Sequence, residues 1–520
     1  MSLSSIDIGI FIAYVVGLIL IAGLVSRDKA GHEKDTKDYF LAGNSLTWWA
    51  IGASLIAANI SAEQIIGMSG SGYAVGLGIA SYEWLAAIIL MIIGKYFLPI
   101  FLKHKIYTMP QYLERRYNHD VRLVLAIFWI GVYIFVNLTS VLWLGSLAIN
   151  TVADVNIVYG LMFLGAFAAA YSLYGGLKAV AFTDIIQVVL LVAGGLYLTY
   201  VSLNIIGDGQ GIIIGFEQLT EQAAVKFDMI LSRDNEYYNL LPGITALVGG
   251  VWVLHFAYWG FNQYIIQRAL AAKSLQEAQK GIAFAALLKL IMPIIVVLPG
   301  IAAYVIIPGL GDTPDRAYPE LIKLMPAGML GLVFAALVAA IVSSLGSMTN
   351  SISTIFTMDI YSYYKPGRSQ RHYVLVGRAV SLSSLIIAMI CAKPLLGNFD
   401  QAFQYIQEFT GFFTPGIVVI FFFGMFWDRA TPASALAAAI GSFLSSLAFF
   451  IFWPELPFLD RMNFVFVICL VLAVSVSYMT KQTNDQVHTI EKADFQTTTG
   501  YNVVAVAVLM ILTAIYFTWW

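Results

Sequence analysis

Apolar residues in this chain gather into about fourteen long runs, near 5–25, 47–70, 78–102, 123–150, 155–174, 179–205, 242–266, 279–308, 326–361, 374–396, 403–427, 431–453, 460–480 and 500–519. Each is near the roughly 20 residues that a helix needs to cross a hydrocarbon core about 30 Å thick. Polar residues collect in the connections. The longest of these, about 206–241, is too short for an independent domain. The pattern predicts an all-α integral membrane protein of about 14 transmembrane helices in a single transmembrane domain, 1–520. The first run, Ile6 to Val25, lacks the basic start and small-residue cleavage site of a signal peptide and is expected to be a retained helix.

Composition agrees. Sixty per cent of the 520 residues are apolar, 11% are charged and the mean hydropathy is +0.81, whereas a soluble chain carries about a quarter charged residues. The 28 basic residues are matched by 30 acidic ones, which gives no basic footprint for nucleic acid. Cys391 and Cys469 both lie in apolar runs and suggest neither a disulfide nor a metal site.

Basic residues set the expected orientation. Assigning alternate connections to opposite sides puts Arg27, Lys29, Lys34, Lys37, Lys103, Lys105, Arg115, Arg116, Arg122, Lys178, Arg268, Lys273, Lys280, Lys365, Arg368, Arg371, Arg429, Lys481 and Lys492 on one side. Lys226, Arg233, Arg316, Lys323, Lys393 and Arg461 fall on the other. Nineteen against six makes the first side cytoplasmic. Both termini are then expected outside, in an inner (plasma) membrane.

Ionisable groups at membrane depth cost about 2.5–3.5 kcal/mol even on a lenient insertion scale and need a partner or a wet cavity. Glu63, Glu83, Lys95, Asp184, His255, Lys289, Asp359, Arg378 and Glu408 are such residues. Lys95, Asp359 and Arg378 lie near expected cytoplasmic ends, where snorkelling accounts for them. Glu83 and Lys289 have apolar flanks, and suit either a structural ion pair or, the reading preferred here, a polar cavity.

Two spans are expected to be broken. The second carries Asn59, Ser61, Glu63 and Gln64 at mid-depth and ends in glycines; the seventh carries His255, Tyr258, Asn262 and Gln263. They stand five spans apart. Five is odd, so consecutive five-span units enter the bilayer from opposite sides, as in the inverted repeats of secondary transporters, whose sites lie at unwound helices. The ninth span holds Ser343, Ser344 and Ser347. Serines in a span commonly bond back to their own backbone, but hydroxyls and freed carbonyls also suit sodium, with Asp184 as a nearby negative charge.

Residues 57–64 (Ala-Ala-Asn-Ile-Ser-Ala-Glu-Gln), 175–187, 261–268 and 403–408, with the serines of span nine, resemble the solute:sodium symporter family, in particular its sodium/galactose (sodium/glucose-type) branch. The resemblance covers nearly the whole chain. It implies a LeuT-like fold with a 5+5 inverted repeat: a peripheral helix 5–25, repeat one about 47–205, repeat two about 242–427 and peripheral helices about 431–519. It implies a sodium site formed by the carbonyls of Ala57, Ile60 and Ala340 and the hydroxyls of Ser343 and Ser344, near Asp184. The sugar site it implies comprises Gln64, Glu83, Lys289 and Gln407, with Tyr258 as inner gate beside Trp259. Met68, Tyr82 and Phe403 match the outer gate.

Two positions depart from the sugar-transporting pattern: His255 replaces an asparagine that contacts the sugar, and Ala86 replaces a serine. Either His255 supplies the lost hydrogen bond or it satisfies a backbone carbonyl. The expected function is sodium-coupled import of a neutral hexose, galactose or glucose, by alternating access. The alternatives are another solute of the same family, such as inositol or a different monosaccharide, and then a sodium-linked sensor or channel. No nucleophile–base pair or metal cluster appears, so an enzyme is not expected, and no cofactor beyond the coupling sodium.

Overall fold

A computed structural model of the chain describes residues 3–25, 44–106, 108–311, 313–397, 401–480 and 495–520, without the side chains of 19, 22–25 and 171–183. Arg27, Lys29, Lys34, Lys37, Lys481 and Lys492 lie outside the described residues, as do the side chains of 175–183, including Lys178. The described residues are helical, with one isolated parallel bridge between Leu46 and Ala272. Helix is what a bilayer demands, because each backbone N–H and C=O must be satisfied within its own segment.

Among the described residues, ten helices are long and apolar enough to cross a membrane, or up to twelve if each of two bent pairs is one span. In chain order the apolar helices are α1 (Ser5–Val25), the bent pair α2 (Trp48–Asn59) and α3 (Glu63–Ala74), α4 (Leu77–Tyr96), α5 (His119–Ala153), α6 (Ile157–Ile206), α7 (Gly243–Phe261), α8 (Leu275–Ile306), α9 (Met329–Tyr364) and α10 (Gln370–Leu396). The second bent pair follows, α11 (Ala402–Thr410) with α12 (Thr414–Phe426), then α13 (Pro432–Phe452), α14 (Phe458–Met479) and α15 (Thr499–Thr518).

Against the expected fourteen spans, two positions hold shorter apolar helices, Ser5–Leu18 and Ile157–Ala170, and each adjoins residues whose side chains are not described. The expected break near residues 175–178 is also absent as a helix end: α6 is helical throughout, since Gly175 and Gly176 weaken a helix without removing a backbone donor. Its axis is nonetheless not straight. Leu164 and Ile341 both press on Gly145, while Asp184 bonds Ser343. Twenty residues of straight helix would part Leu164 from Asp184 by about 30 Å, too far for both to meet one turn of α9.

The connections separated by charge in the sequence are also separated in space. At one end, Met109 N–H donates to Gln263, Arg122 pairs with Asp359 of α9, and Arg116 donates to the carbonyls of Gly424, Trp427 and Ala430. At the other end, Lys226 Nζ donates to the Ala74 carbonyl at 2.5 Å, Asp315 accepts from Ala402 N–H, and Met229 N–H donates to Trp519. Burial lowers the pKa of Lys226, and the Glu236 carboxylate raises it back in part. Asp7 accepts from the amides of Gly328 and Gly331, which ties α1 to the start of α9.

Asp359 corrects an expectation. It does not snorkel. It is fully buried, accepting from Thr108 and Arg122. Its partners come from segments about 240 residues away; both donate to Oδ1, and Arg122 supplies the countercharge that the buried carboxylate needs.

Close packing of α3 on α8 rests on glycine. A Cβ at Gly300 would sit 2.1 Å from the Ser69 carbonyl oxygen, and one at Gly72 would sit 2.8 Å from that of Val297. Small residues let two membrane helices approach this closely. Gly300→Leu is expected to lower stability by about 1–3 kcal/mol through overpacking. Gly311→Leu, where an added Cβ meets nothing within 4 Å, is the control. Thermal unfolding of the purified protein in detergent separates them.

Candidate functional site

The helix α2 ends at Asn59 because Ser61 N–H turns back to the Asn59 carbonyl at 2.7 Å instead of reaching Ala57. The Ala57 carbonyl is thereby released from the helical ladder, and α3 leaves at 57° to α2. Ser61 then donates to Gln64 Oε1 at 3.1 Å, which turns the Gln64 amide nitrogen toward its surroundings as a donor. The seventh run is interrupted as expected. α7 loosens into a π-helical turn over Phe256–Phe261, and Asn262 is extended (φ −76°, ψ 120°) before helix resumes at Gln263. Tyr133 of α5 clamps this break, donating to Asn262 Oδ1 at 2.7 Å and accepting from Gln263 N–H at 2.8 Å. The bend between α11 and α12, 47°, has no counterpart in the expected spans; Gly411 and Pro415 flank it.

Between the two interruptions lies a cavity with an empty volume of about 310 Å³. Gln64, Met68, Tyr82, Glu83, His255, Tyr258, Trp259, Lys289, Phe403 and Gln407 all line it, joined by Asn59 and Leu254. These residues come from α2, α3, α4, α7, α8 and α11. The structure thus brings together every residue expected in the sugar site and in both gates.

Lys289 and Glu83 form an ion pair at 2.5 Å, each almost fully buried. The ammonium also donates to Asn59 Oδ1 and stands 4.8 Å from the Trp259 ring centroid, a distance at which a cation is attracted to the ring face. Pair and cavity are therefore one structure, and the two alternatives left by the sequence are not exclusive. Asn59 is the residue that sequence reasoning passed over: its other side-chain group donates to the Tyr258 hydroxyl at 3.2 Å. A polar residue at the last turn before a break was the available signal.

Met68, Tyr82 and Phe403 of the lining are all buried, with the Tyr82 and Phe403 rings edge to face at 5.3 Å. The hydroxyl of Tyr258, also in the lining, accepts from Asn59 and from Tyr264 at 3.0 Å. The ring of His255 bonds the backbone of Ser81, while its Nε2 is buried without a partner among the described residues and faces the cavity. The bond to the Ser81 backbone agrees with the second reading of this histidine, that it satisfies a backbone carbonyl. Ala86 is fully buried on α4 and does not line the cavity.

A second polar centre lies where α2, α6 and α9 meet. Asp184 is fully buried and accepts from Ser54 at 2.5 Å and from Ser343. Arg268 stands 3.7 Å from it, donating also to Ser54, Ser347 and the Tyr264 carbonyl. Ser344 Oγ lies 3.4 Å from the Ala58 carbonyl oxygen. The Ala58 carbonyl and the Ser344 hydroxyl of α9 are thus neighbours, oxygen donors of the kind that suit a hard monovalent cation. Sequence reasoning missed Ser54 and Arg268, whose shared partner Asp184 lies 130 and 84 residues away from them. Glu408 belongs to neither centre; it pairs with Arg461 of α14 at 3.1 Å.

Comparison with known proteins gives this arrangement a setting. The family described as Sodium:solute symporter family matches residues 39–441. The chain is 50% identical over 538 aligned positions to the sodium/glucose cotransporter of Vibrio parahaemolyticus, covering 100% of this chain and 99% of that protein. It is 32% identical to sodium/myo-inositol cotransporter 2 of Mus musculus, over 86% of this chain and 70% of that one. Among solved structures, the substrate-bound outward-open state of a Na+-coupled sialic acid symporter matches with a TM-score of 0.80 at 24% identity, covering 92% of this chain and 98% of that one. A nucleobase-cation-symport-1 family transporter in a closed conformation matches with a TM-score of 0.50 at 14% identity, over 86% and 96%. At these identities the likeness shows the fold, that of the LeuT-like transporters.

Proposed function

Because the chain belongs to the sodium:solute symporter family, we propose that it imports a neutral hexose, galactose or glucose, driven by sodium. Sodium as coupling ion follows from the family, whose members here are transporters and not enzymes. The observation that carries the sugar reading is the single cavity that gathers Gln64, Glu83, His255, Lys289 and Gln407 between an aromatic lid and Tyr258. A carboxylate, two amides, an ammonium and an imidazole nitrogen offer donors and acceptors to a ring of hydroxyls, and Trp259 and Tyr258 offer faces to its C–H surface. A neutralised Glu83–Lys289 pair gives a carboxylate solute no free cation to meet.

In this reading the helices form a 5+5 inverted repeat, about 47–205 and 242–427. The peripheral helices are 5–25 and about 431–519, fourteen spans in all. The breaks at Asn59 and Asn262 fall in the first helix of each repeat, which supports it. The end bearing Arg116, Arg122 and Arg268 faces the cytoplasm of the cell that holds the protein in its inner membrane, and both termini lie outside. Sodium sits on the carbonyls of Ala57, Ile60 and Ala340 and the hydroxyls of Ser343 and Ser344, with Asp184 beyond them. Bound there it holds α2 against α9, so the bend that shapes the sugar cavity is populated before sugar arrives. Each ligand then favours the conformation that the other stabilises. Sugar closes Met68, Tyr82 and Phe403 over itself and leaves when Tyr258 releases its bonds to Asn59 and Tyr264.

Myo-inositol is the second reading, favoured by the sequence likeness to proteins named for it. Competition against labelled galactose uptake in proteoliposomes decides between them: glucose and galactose should compete at lower concentration than inositol. A preference for inositol, or no hexose uptake, would overturn the hexose reading. His255→Asn is expected to change relative hexose preference by about 10- to 100-fold, the effect of one buried hydrogen bond gained or lost.

A further inference from the structure

An open pocket with an empty volume of about 1070 Å³ lies where three connections meet. They are the chain entering α2 at Asn44, the segment after α4 from Phe101 to Ile106, and the turn into α8 from Leu270 to Leu275. Its walls are pinned. Leu46 N–H donates to the Ala271 carbonyl at 3.1 Å, Lys273 N–H to that of Leu46 at 3.0 Å, and the Asn44 amide to that of Leu270 at 2.8 Å. On the other side Arg115 donates to the His104 carbonyl, and the Phe101 ring stands edge to face with Tyr112 at 5.5 Å. These contacts set the pocket at the end of the molecule that carries Arg116 and Arg122.

The lining joins two kinds of chemistry. Phe101, Leu102, Ile106 and Leu275 give it an apolar wall, while Lys105 and Lys273 give it two ammonium groups. Both lysines are exposed, and neither is in an ion pair among the described residues. Lys105 also holds a left-handed backbone, φ 46°, which glycine adopts freely and other residues seldom do. Local folding alone would favour glycine there, yet the position carries a charge.

Depth narrows the choice of ligand. Trp48 and Trp49 at the start of α2, just beyond Leu46, are 40% and 42% exposed. Exposed tryptophans of a membrane protein collect at the level of the lipid headgroups. A pocket at that level, with cations beside hydrocarbon side chains, matches a molecule with an anionic head and apolar tails. Basic pockets between membrane helices hold lipid heads by the same means.

We propose that this pocket seats an anionic phospholipid, its phosphate paired with Lys105 and Lys273 and its acyl chains along Phe101, Leu102, Ile106 and Leu275. The three connections lead into α2, out of α4 and into α8, the helices that carry Asn59, Glu83 and Lys289. A bound lipid thus braces the helices that shape the central cavity, and it stabilises the folded protein by mass action. The site is independent of which solute the cavity takes.

The test is retention of phosphatidylglycerol by the purified full-length protein in neutral detergent, read by native mass spectrometry as the lipid is titrated. One phosphatidylglycerol is expected to bind ahead of all others and ahead of phosphatidylcholine. Lys105→Ala and Lys273→Ala should each weaken it about 5-fold, the effect of one lysine near an anionic lipid surface. Lys280→Ala removes an exposed lysine of α8 that does not line the pocket, and should leave binding unchanged. All three side chains are exposed, so unfolding midpoints without added lipid should match the wild type. The upward shift that phosphatidylglycerol produces should shrink only in the first two variants. Equal losses in all three variants, or in none, would overturn the inference, as would a wild type that retains no phosphatidylglycerol. Inorganic phosphate that displaces the lipid at equal concentration would mark a soluble-anion site and overturn it too.

Discussion

Arg268→Ala is expected to destabilise the protein by about 3–5 kcal/mol, because it leaves a buried carboxylate without its countercharge. Arg268 is 1% exposed and Asp184 is fully buried. The guanidinium does not touch Asp184 alone; it also holds Ser54 and Ser347, so its loss loosens α2 from α9. Those are the helices that carry the proposed sodium ligands, and sodium-dependent uptake should disappear with the stability. Adding Asp184→Asn to Arg268→Ala should recover part of the lost stability, since the stranded charge is then gone, but not the uptake. Unfolding midpoints in detergent and uptake at graded sodium, measured on the two single variants and the double, separate the two effects. If Arg268→Ala unfolds like the wild type, the cluster does not hold the helices together.

Lys289→Met is the second large effect. The ammonium answers Glu83 at 2.5 Å, bonds Asn59 and lies over Trp259. Truncation strands the Glu83 carboxylate inside the cavity, at a similar cost of about 3–5 kcal/mol. Glu83→Gln in the same chain should restore much of the stability, because two neutral groups of similar size replace a buried ion pair at little net cost. Uptake should stay lost in the double variant, since both sugar-facing charges are gone. A double variant that transports normally would reduce the pair to a structural lock between α4 and α8.

Much of the site was legible because its signals are local and chemically costly. Asn59 to Gln64 and His255 to Gln263 place polar groups in runs that should meet lipid, and the structure breaks or loosens the helix at both. Glu83 and Lys289 each stood alone among apolar neighbours, and such residues are stable only with a partner. What was not legible depends on distant segments. Asp359 looked like a residue near a helix end, and nothing beside it announces Arg122, 237 positions away. Asn59 was read as part of a motif, but its bridging of Lys289 to Tyr258 is set by how α7 and α8 meet α2. The bend between α11 and α12 likewise arises from packing, which a single run of residues does not display.

The central claim is that a sodium gradient drives sugar uphill through this protein. A potential of 100 mV and a tenfold sodium gradient together provide about 3.7 kcal/mol for one ion per sugar, enough for a few-hundred-fold accumulation. The measurement is accumulation of labelled galactose and glucose in proteoliposomes under an imposed inward sodium gradient, alongside Ser344→Ala. Concentrative uptake that collapses with a sodium ionophore, and that in Ser344→Ala needs far more sodium or vanishes, is the predicted result. Uptake that proceeds equally well without sodium, or a Ser344→Ala variant with unchanged sodium dependence, would contradict the account.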